Sequence, residues 1–251
     1  MTMDFDSDFE DGYAHTSYGS IYFKRHWNDG PSLVMLHGLG ADVNTWRRVV
    51  QFMPESIDLY LVDLLGHGRS DKPRIDYTIR TQVDALNELA GIVGVHNFFL
   101  LGHSYGGWIA AYYAMENAVR GLILEDAAGL KEYFDYIRNN FDLDAYKRSM
   151  AREVLKMNGN EEHVVSSILD VDFGPEQLTK EGLSSISSPT VVMWGAEDSV
   201  VPVEYGRLLN RYITGSRLIV VDGAGHEPHY TIPEEAARKI LDFINDVDAN
   251  G

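Results

Sequence analysis

Ser104 stands in Gly102-His103-Ser104-Tyr105-Gly106-Gly107, between two apolar runs. Asn97-Phe98-Phe99-Leu100-Leu101 predicts a buried strand, and Trp108-Ile109-Ala110-Ala111-Tyr112-Tyr113-Ala114-Met115 a buried helix. A strand that turns abruptly into a helix at Gly-x-Ser-x-Gly lifts the serine to a strained apex, with its hydroxyl facing a pocket. The flanking glycines are there because side chains would collide around so tight a turn. The helix begins just beyond Ser104, so its free N–H groups and positive dipole end point at any oxyanion formed there. The chemistry this pattern serves is attack by a serine hydroxyl.

A serine is a weak nucleophile and needs a general base, itself oriented by an acid. Both residue types follow downstream at strand ends. Thr190-Val191-Val192-Met193-Trp194-Gly195 predicts a buried strand, and the loop Ala196-Glu197-Asp198-Ser199-Val200-Val201-Pro202 presents Asp198 just beyond it. Leu218-Ile219-Val220-Val221 runs into Asp222-Gly223-Ala224-Gly225-His226-Glu227-Pro228-His229, which puts His226 on a Gly-flanked loop. His229 is the rival base, without that setting. Asp126, ending the apolar run over 119–125, is the rival acid. Open parallel sheets place ligand sites at such strand ends. Upstream, Ser32-Leu33-Val34-Met35-Leu36 predicts another buried strand that ends in His37-Gly38-Leu39-Gly40. Backbone N–H groups of that loop suit an oxyanion, with Leu39 and Tyr105 as the expected donors. His37, His67 and His103 are read as fixing loops and turns rather than as bases.

The elements that must hold these residues alternate between strand and helix, the pattern of a parallel α/β sheet. Residues 17–26 predict an antiparallel hairpin strand, 44–53 a helix, 59–62 a strand, 78–93 an amphipathic helix and 233–247 the closing helix. The first eight residues, acidic and without an apolar core, are expected to fray and make no signal peptide. Residues 130–185 break the alternation. They read as short helices rich in aromatics and methionine: Tyr133, Phe134, Tyr136, Phe141, Tyr146, Met150, Met157 and Phe173.

Taken in order, His37-Gly38-Leu39-Gly40, Asp63-Leu64-Leu65-Gly66-His67-Gly68-Arg69-Ser70-Asp71, the Ser104 turn, Trp194-Gly195-Ala196-Glu197-Asp198 and Gly223-Ala224-Gly225-His226 resemble the α/β-hydrolase fold superfamily, in its capped serine-esterase branch. The resemblance spans about residues 32 to 230. It implies a mostly parallel sheet flanked by helices, with core over 1–130 and 186–251 and a helical cap over 131–185 inserted before the strand that leads to the acid. It also implies a Ser104–Asp198–His226 triad and an acyl pocket drawn from Tyr133, Phe134, Tyr146 and Met150. Haloalkane dehalogenases and epoxide hydrolases similar to this chain carry Asp at the nucleophile position. Serine there points to acyl transfer to water, so hydrolysis of a small carboxylic ester is the expectation. A carbon–carbon bond hydrolase of ring-fission diketones, or a slow-turnover receptor on the same fold, is the alternative.

Composition narrows the partners. The chain has 251 residues, a formal net charge of −17 and no cysteine. Nucleic acid is not expected, because phosphates need Lys and Arg to meet them. Anionic membrane surfaces are disfavoured in the same way, and no run of 18 apolar residues suggests a span. The missing cysteines exclude disulfides and thiol chemistry and fit a cytoplasmic location. No His-x-x-x-His pair with a nearby Glu suggests zinc, so no metal or cofactor is expected. The expected state is a monomer or homodimer.

Overall fold

Short apolar runs too brief for helices form the parallel strands at the centre of the molecule. The computed structural model describes residues 3–157, 159–171 and 174–250. Strands β3 (Ser32–Leu36), β4 (Asp58–Val62), β5 (Phe99–His103), β6 (Gly121–Glu125), β7 (Thr190–Gly195) and β8 (Arg217–Val221) run parallel. Strands β4 to β7 are buried along their whole length. At one edge β1 (Glu10–Thr16) and β2 (Gly19–His26) form an antiparallel hairpin, and β2 pairs antiparallel with β4. The eight-stranded order is β1-β2-β4-β3-β5-β6-β7-β8. The chain leaves β3 to one side for β4 and returns to the other side for β5. The carboxyl ends of β3 and β5 therefore flank a topological switch point, where open sheets bind ligands.

Helices cover both faces. On one lie α1 (Ile79–Val93), whose first turn is capped by the Thr78 hydroxyl, and α2 (Tyr105–Glu116), which is apolar nearly all round. The other carries α9 (Pro233–Asn250), with Ile240, Phe243 and Ile244 in the core. Helix α7 (Val203–Tyr212) links β7 to β8, and the single turn α8 (Pro228–Thr231) precedes α9.

Two local expectations change, and one strand goes unanticipated. Met3 and Phe5 are buried against the face that holds Trp46, so the described N-terminal residues are anchored rather than frayed. Residues 44–53 form two 3-10 turns, Val43–Arg47 and Val50–Phe52, instead of one helix. The β-branched Val43, Val49 and Val50 weaken an α-helix there. Strand β1 carries no apolar run, since only Ala14 along it is buried, and pairing with β2 alone defines it.

Between β6 and β7 the described residues form four inserted helices: α3 (Lys131–Asn140), α4 (Leu143–Val154), α5 (Glu162–Val171) and α6 (Lys180–Leu183). Phe173 lies outside the described residues. Polar ties from Glu176 and Ser167 help to hold this segment to the core. The Glu176 carboxylate accepts the Ile79 and Arg80 N–H groups at the start of α1 (2.7 and 3.3 Å), while its carbonyl accepts the Trp108 indole N–H (3.0 Å). Ser167 Oγ accepts the Tyr77 N–H at 2.9 Å. Among the described residues no helix is long and apolar enough to cross a membrane.

Candidate active site

Ser104 sits at the junction of β5 and α2 with φ +51° and ψ −114°. A side chain rarely takes that conformation, and the surroundings must hold it. Its N–H donates to the Glu125 carbonyl (3.0 Å), and its own carbonyl accepts from Trp108 N (3.1 Å) and Ala128 N (3.0 Å). Those three bonds tie the apex to the neighbouring strand end and to the first turn of α2. Gly106 lets the turn close: a Cβ there would lie 2.4 Å from the Leu36 carbonyl oxygen.

The loops after β7 and β8 converge on this apex. His226 Nε2 is 2.9 Å from Ser104 Oγ, and His226 Nδ1 is 2.7 Å from Asp198 Oδ2. Asp198 Oδ1 accepts the N–H groups of Val200 (2.8 Å) and Val201 (3.0 Å). Burial pushes the Asp198 carboxyl up, but the His226 hydrogen bond, its charge and these two N–H groups outweigh burial and hold it below the usual carboxylate value. The Asp198 side chain is fully buried while His226 is 16% exposed, so the chain of bonds runs from interior to opening. Nδ1–H of His226 faces the carboxylate, which leaves Nε2 to accept the serine proton.

The loop after β3 lies against the same apex, since a Cβ on Gly38 would be 3.3 Å from Ser104 Cβ. His37 Nδ1–H donates to the Gly38 carbonyl (2.8 Å), and His37 Nε2 accepts the Leu64 N–H (3.0 Å). Burial keeps this ring neutral, which its acceptor role requires. Peptide planarity then turns the Leu39 N–H directly away from the fixed Gly38 carbonyl. The Tyr105 N–H belongs to the first turn of α2.

The other histidines hold the frame. His103 is buried and donates Nε2–H to the His226 carbonyl (2.7 Å), which anchors the His226 loop from beneath. Burial and then the nearby His229 and His226 drive His103 well below its ordinary pKa. His67 is driven to about 3 by burial and by His37. His229 is fully buried, with Nδ1 2.9 Å from Glu125 Oε2 and Nε2 2.9 Å from Thr45 Oγ1, and it does not reach Ser104. Asp126 is fully buried at the end of β6, and its Oδ1 accepts the Gly195 N–H (2.9 Å). Burial, then Glu125 and Asp198, raise its pKa well above the ordinary carboxylate value.

The structure therefore brings Ser104, His226 and Asp198 together and leaves His229 and Asp126 in supporting places. Of the pocket candidates, Tyr133 is buried against Tyr205, with its hydroxyl donating to the Val200 carbonyl (3.0 Å). Phe134 packs on Trp108 at 5.2 Å between centroids. Tyr146 is half-buried with its hydroxyl 3.5 Å from that of Tyr133. Met150 packs with Val154, Val165 and Leu169, the cluster that Leu39 also touches. Two contributors escape sequence reasoning. Glu125 reads only as a strand end, and Asn160 as a loop residue, yet its amide reaches the Gly40 carbonyl at 2.8 Å.

Asp126, Asp198 and His226 offer ligand atoms within 4.8 Å of one another. His226 is already bonded on both nitrogens, so a cation there would have to break the chain to Ser104. A cavity of about 860 Å³ opens at the opposite end of the sheet. Its charges face each other, Arg120 with Asp248 (2.7 Å) and Arg217 with Asp246 (2.9 Å), and among the described residues no serine or histidine lines it.

Comparison with known proteins gives a consistent picture. The sequence profile of the alpha/beta hydrolase family matches residues 33–239. An uncharacterized protein of Mycobacterium tuberculosis is 25% identical over 246 residues, covering 81% of this chain and 72% of that protein. Human monoacylglycerol lipase ABHD6 is 26% identical over 276 residues, covering 93% of this chain and 81% of the lipase. The solved structure of an esterase from Exiguobacterium antarcticum superposes with a TM-score of 0.79 at 24% identity, over 94% of this chain and 100% of the other.

Proposed function

This chain belongs to the alpha/beta hydrolase family, and we propose that it is a serine esterase acting on small carboxylic esters with short to medium acyl chains. The supporting observation is the chain of short contacts from Ser104 Oγ through His226 to Asp198, 2.9 and then 2.7 Å. Ser104 attacks the ester carbonyl carbon as His226 Nε2 takes its proton. The resulting imidazolium is held by the Asp198 carboxylate. The tetrahedral oxyanion accepts the N–H groups of Leu39 and Tyr105. His226 returns the proton to the departing alkoxide, and the acyl group remains on Ser104. Water then attacks the acyl-enzyme with His226 again as base, and the acid leaves.

On this reading the inserted helices α3 to α6 form a cap that bounds the acyl side. The names of the human lipase and of the Exiguobacterium esterase fit ester substrates. The test is covalent. A fluorophosphonate should add one phosphonyl group to the peptide holding Ser104, with parallel loss of p-nitrophenyl butyrate turnover. Ser104→Ala should take no label and lose at least about a thousandfold in turnover. A Ser104→Ala protein within tenfold of the parent overturns the assignment.

A further inference from the structure

The turn beside Ser104 is gripped from both sides. From the core, His37 Nδ1–H holds the Gly38 carbonyl (2.8 Å). From the inserted segment, Asn160 Nδ2 lies 2.8 Å from the Gly40 carbonyl, 3.0 Å from that of Val154 and 2.8 Å from that of Met157. Three carbonyl oxygens converge on one amide nitrogen with two protons. Only a donor fits there, which fixes the orientation of the Asn160 amide. The Val154 carbonyl, among the last of α4, also accepts the Met157 N–H at 3.0 Å, so the Asn160 amide adds a second donor to a helix-end oxygen. Gly40, at φ +78°, is pressed against the same place. A Cβ on it would be 2.8 Å from Val154 Cγ1 and 3.2 Å from Asn160 Nδ2.

The grip on Gly40 has a path to the Leu39 N–H. The Gly40 carbonyl shares a rigid peptide plane with the Ala41 N–H. That N–H donates to the Gly38 carbonyl at 3.2 Å. The Gly38 carbonyl shares the next plane with the Leu39 N–H. Two planar units joined by one hydrogen bond thus connect the Asn160 amide to the backbone donor beside Ser104.

We propose that Asn160 is a positioning residue that locks the oxyanion-binding turn to the cap, so that the Leu39 N–H is aimed at the reacting carbonyl only while the cap is seated. The inference rests on the serine-esterase reading above. It makes the inserted segment part of the catalytic geometry as well as a wall of the pocket. Loss of a whole oxyanion donor costs roughly a hundredfold to a thousandfold in kcat. Loosening one costs less. Asn160→Ala should lower kcat for p-nitrophenyl butyrate by about tenfold. Asn160→Asp puts a carboxylate among three carbonyl oxygens and should lower it by about fiftyfold, on the same scale. KM should stay within about twofold, because the ester is still bound before charge develops.

The experiment measures kcat and KM for both variants, the affinity of a trifluoromethyl ketone, and amide exchange over residues 38–41. The ketone forms a tetrahedral oxyanion on Ser104. Its affinity should fall by the same factor as kcat/KM, and exchange of the turn amides should quicken in both variants. A merely structural role would raise KM and lower Tm while ketone affinity kept pace with substrate binding; that outcome overturns the proposal. So do unchanged kcat, ketone affinity and turn exchange in both Asn160 variants while Ser104→Ala is inactive. Turnover surviving in Ser104→Ala defeats the esterase reading instead, and the catalytic role of Asn160 with it.

Discussion

The strand ends of the core and the helices inserted between β6 and β7 answer different demands. At the strand ends each candidate side chain is fixed by the backbone or the buried ring beneath it. Ser104 is held by three main-chain hydrogen bonds, Asp198 by two N–H groups, and the His226 loop by the buried ring of His103. In the inserted segment position comes from side-chain packing on half-covered surfaces, pinned at points by side-chain hydrogen bonds such as those of Glu176 and Asn160. Tyr133 and Phe134 are buried, whereas Tyr136 and Phe141 are about half exposed. On the proposed reading, the strand ends set where the ester bond breaks, and the inserted helices bound the molecule brought to it. Changes at the strand ends should therefore cost rate without stability, and changes in the inserted helices should cost stability or alter selectivity.

The sharpest test of the first half is the acid. Asp198→Asn leaves the shape but removes the charge that orients and stabilises the His226 imidazolium. Turnover of p-nitrophenyl butyrate should fall by about a thousandfold to ten-thousandfold, by analogy with other triads, while Tm stays within a few degrees. Asp126→Asn should stay within tenfold of the parent. If the larger loss falls at Asp126, the acid belongs to β6 and the comparison fails at its core end.

In the inserted helices the reverse is expected, at Phe134. Its ring is 4% exposed and packs on Trp108. Phe134→Ala should cost about 3 to 5 kcal/mol from lost burial and the cavity left behind. Thermal unfolding should read that as a fall of roughly 6 to 15 °C. Turnover of an acetate ester, measured well below the new Tm, should change less than about threefold. A large rate loss at unchanged Tm would mean that Phe134 touches the substrate directly.

What the sequence discloses follows the same division. The proposed chemistry needs particular residue types at strand ends, so the convergence of Ser104, Asp198 and His226 is legible from the apolar runs and glycines beside them. Strand β1 is not, because pairing with β2 defines it and its side chains are mostly exposed. The support of the site is legible only in part. His37 and His103 read as frame residues, but the pairing of Glu125 with His229 joins positions 104 apart in sequence. Asn160 escapes altogether, since a loop asparagine carries no sign of the carbonyls it will meet. The pocket is least legible. Short amphipathic helices show which residues are apolar but not which face the core and which the ligand.

Asp126 gives a smaller, pH-dependent effect within the core. Its carboxyl is raised by burial above the unfolded value of about 3.9. The folded state therefore holds this proton more tightly than the unfolded state. That contribution is whole below the unfolded value and is lost as pH climbs through the folded one. The lowered carboxyl of Asp198 acts in the opposite sense, failing as pH falls. Asn cannot ionise, and it tolerates the left-handed φ of +44° found at this position. Asp126→Asn should match the parent's Tm near pH 4 and exceed it at pH 8, by a margin that widens as pH rises. A difference that does not grow with pH would show that Asp126 has no raised affinity for its proton.

The smallest effect is also the finest probe of the inserted helices. If α3 to α6 bound the acyl side, rate should track chain length. Each buried methylene is worth about 0.8 kcal/mol, so kcat/KM should rise up to about fourfold per carbon until the space is full. Beyond that length it should drop, because a packed wall yields little. The optimum should fall at roughly four to eight acyl carbons, as expected of a small apolar pocket. Met150 packs in the cluster that also contacts Leu39, and Tyr146 is half-buried beside Tyr133. Both are better placed than Phe134 to change the space without breaking the fold, because neither is fully buried. Met150→Ala should move the optimum longer by about two carbons, with the rate for the acetate ester nearly unchanged and a Tm loss of a few degrees at most. Tyr146→Ala should do the same if its ring, rather than its hydroxyl, faces the acyl chain, and Tyr146→Phe separates the two. Equal rates from acetate to palmitate esters in the parent, or one profile shared by the parent, Met150→Ala and Tyr146→Ala, would remove the inserted helices from the acyl side. Selectivity would then have to come from the strand-end loops, and the division between the two regions would not hold.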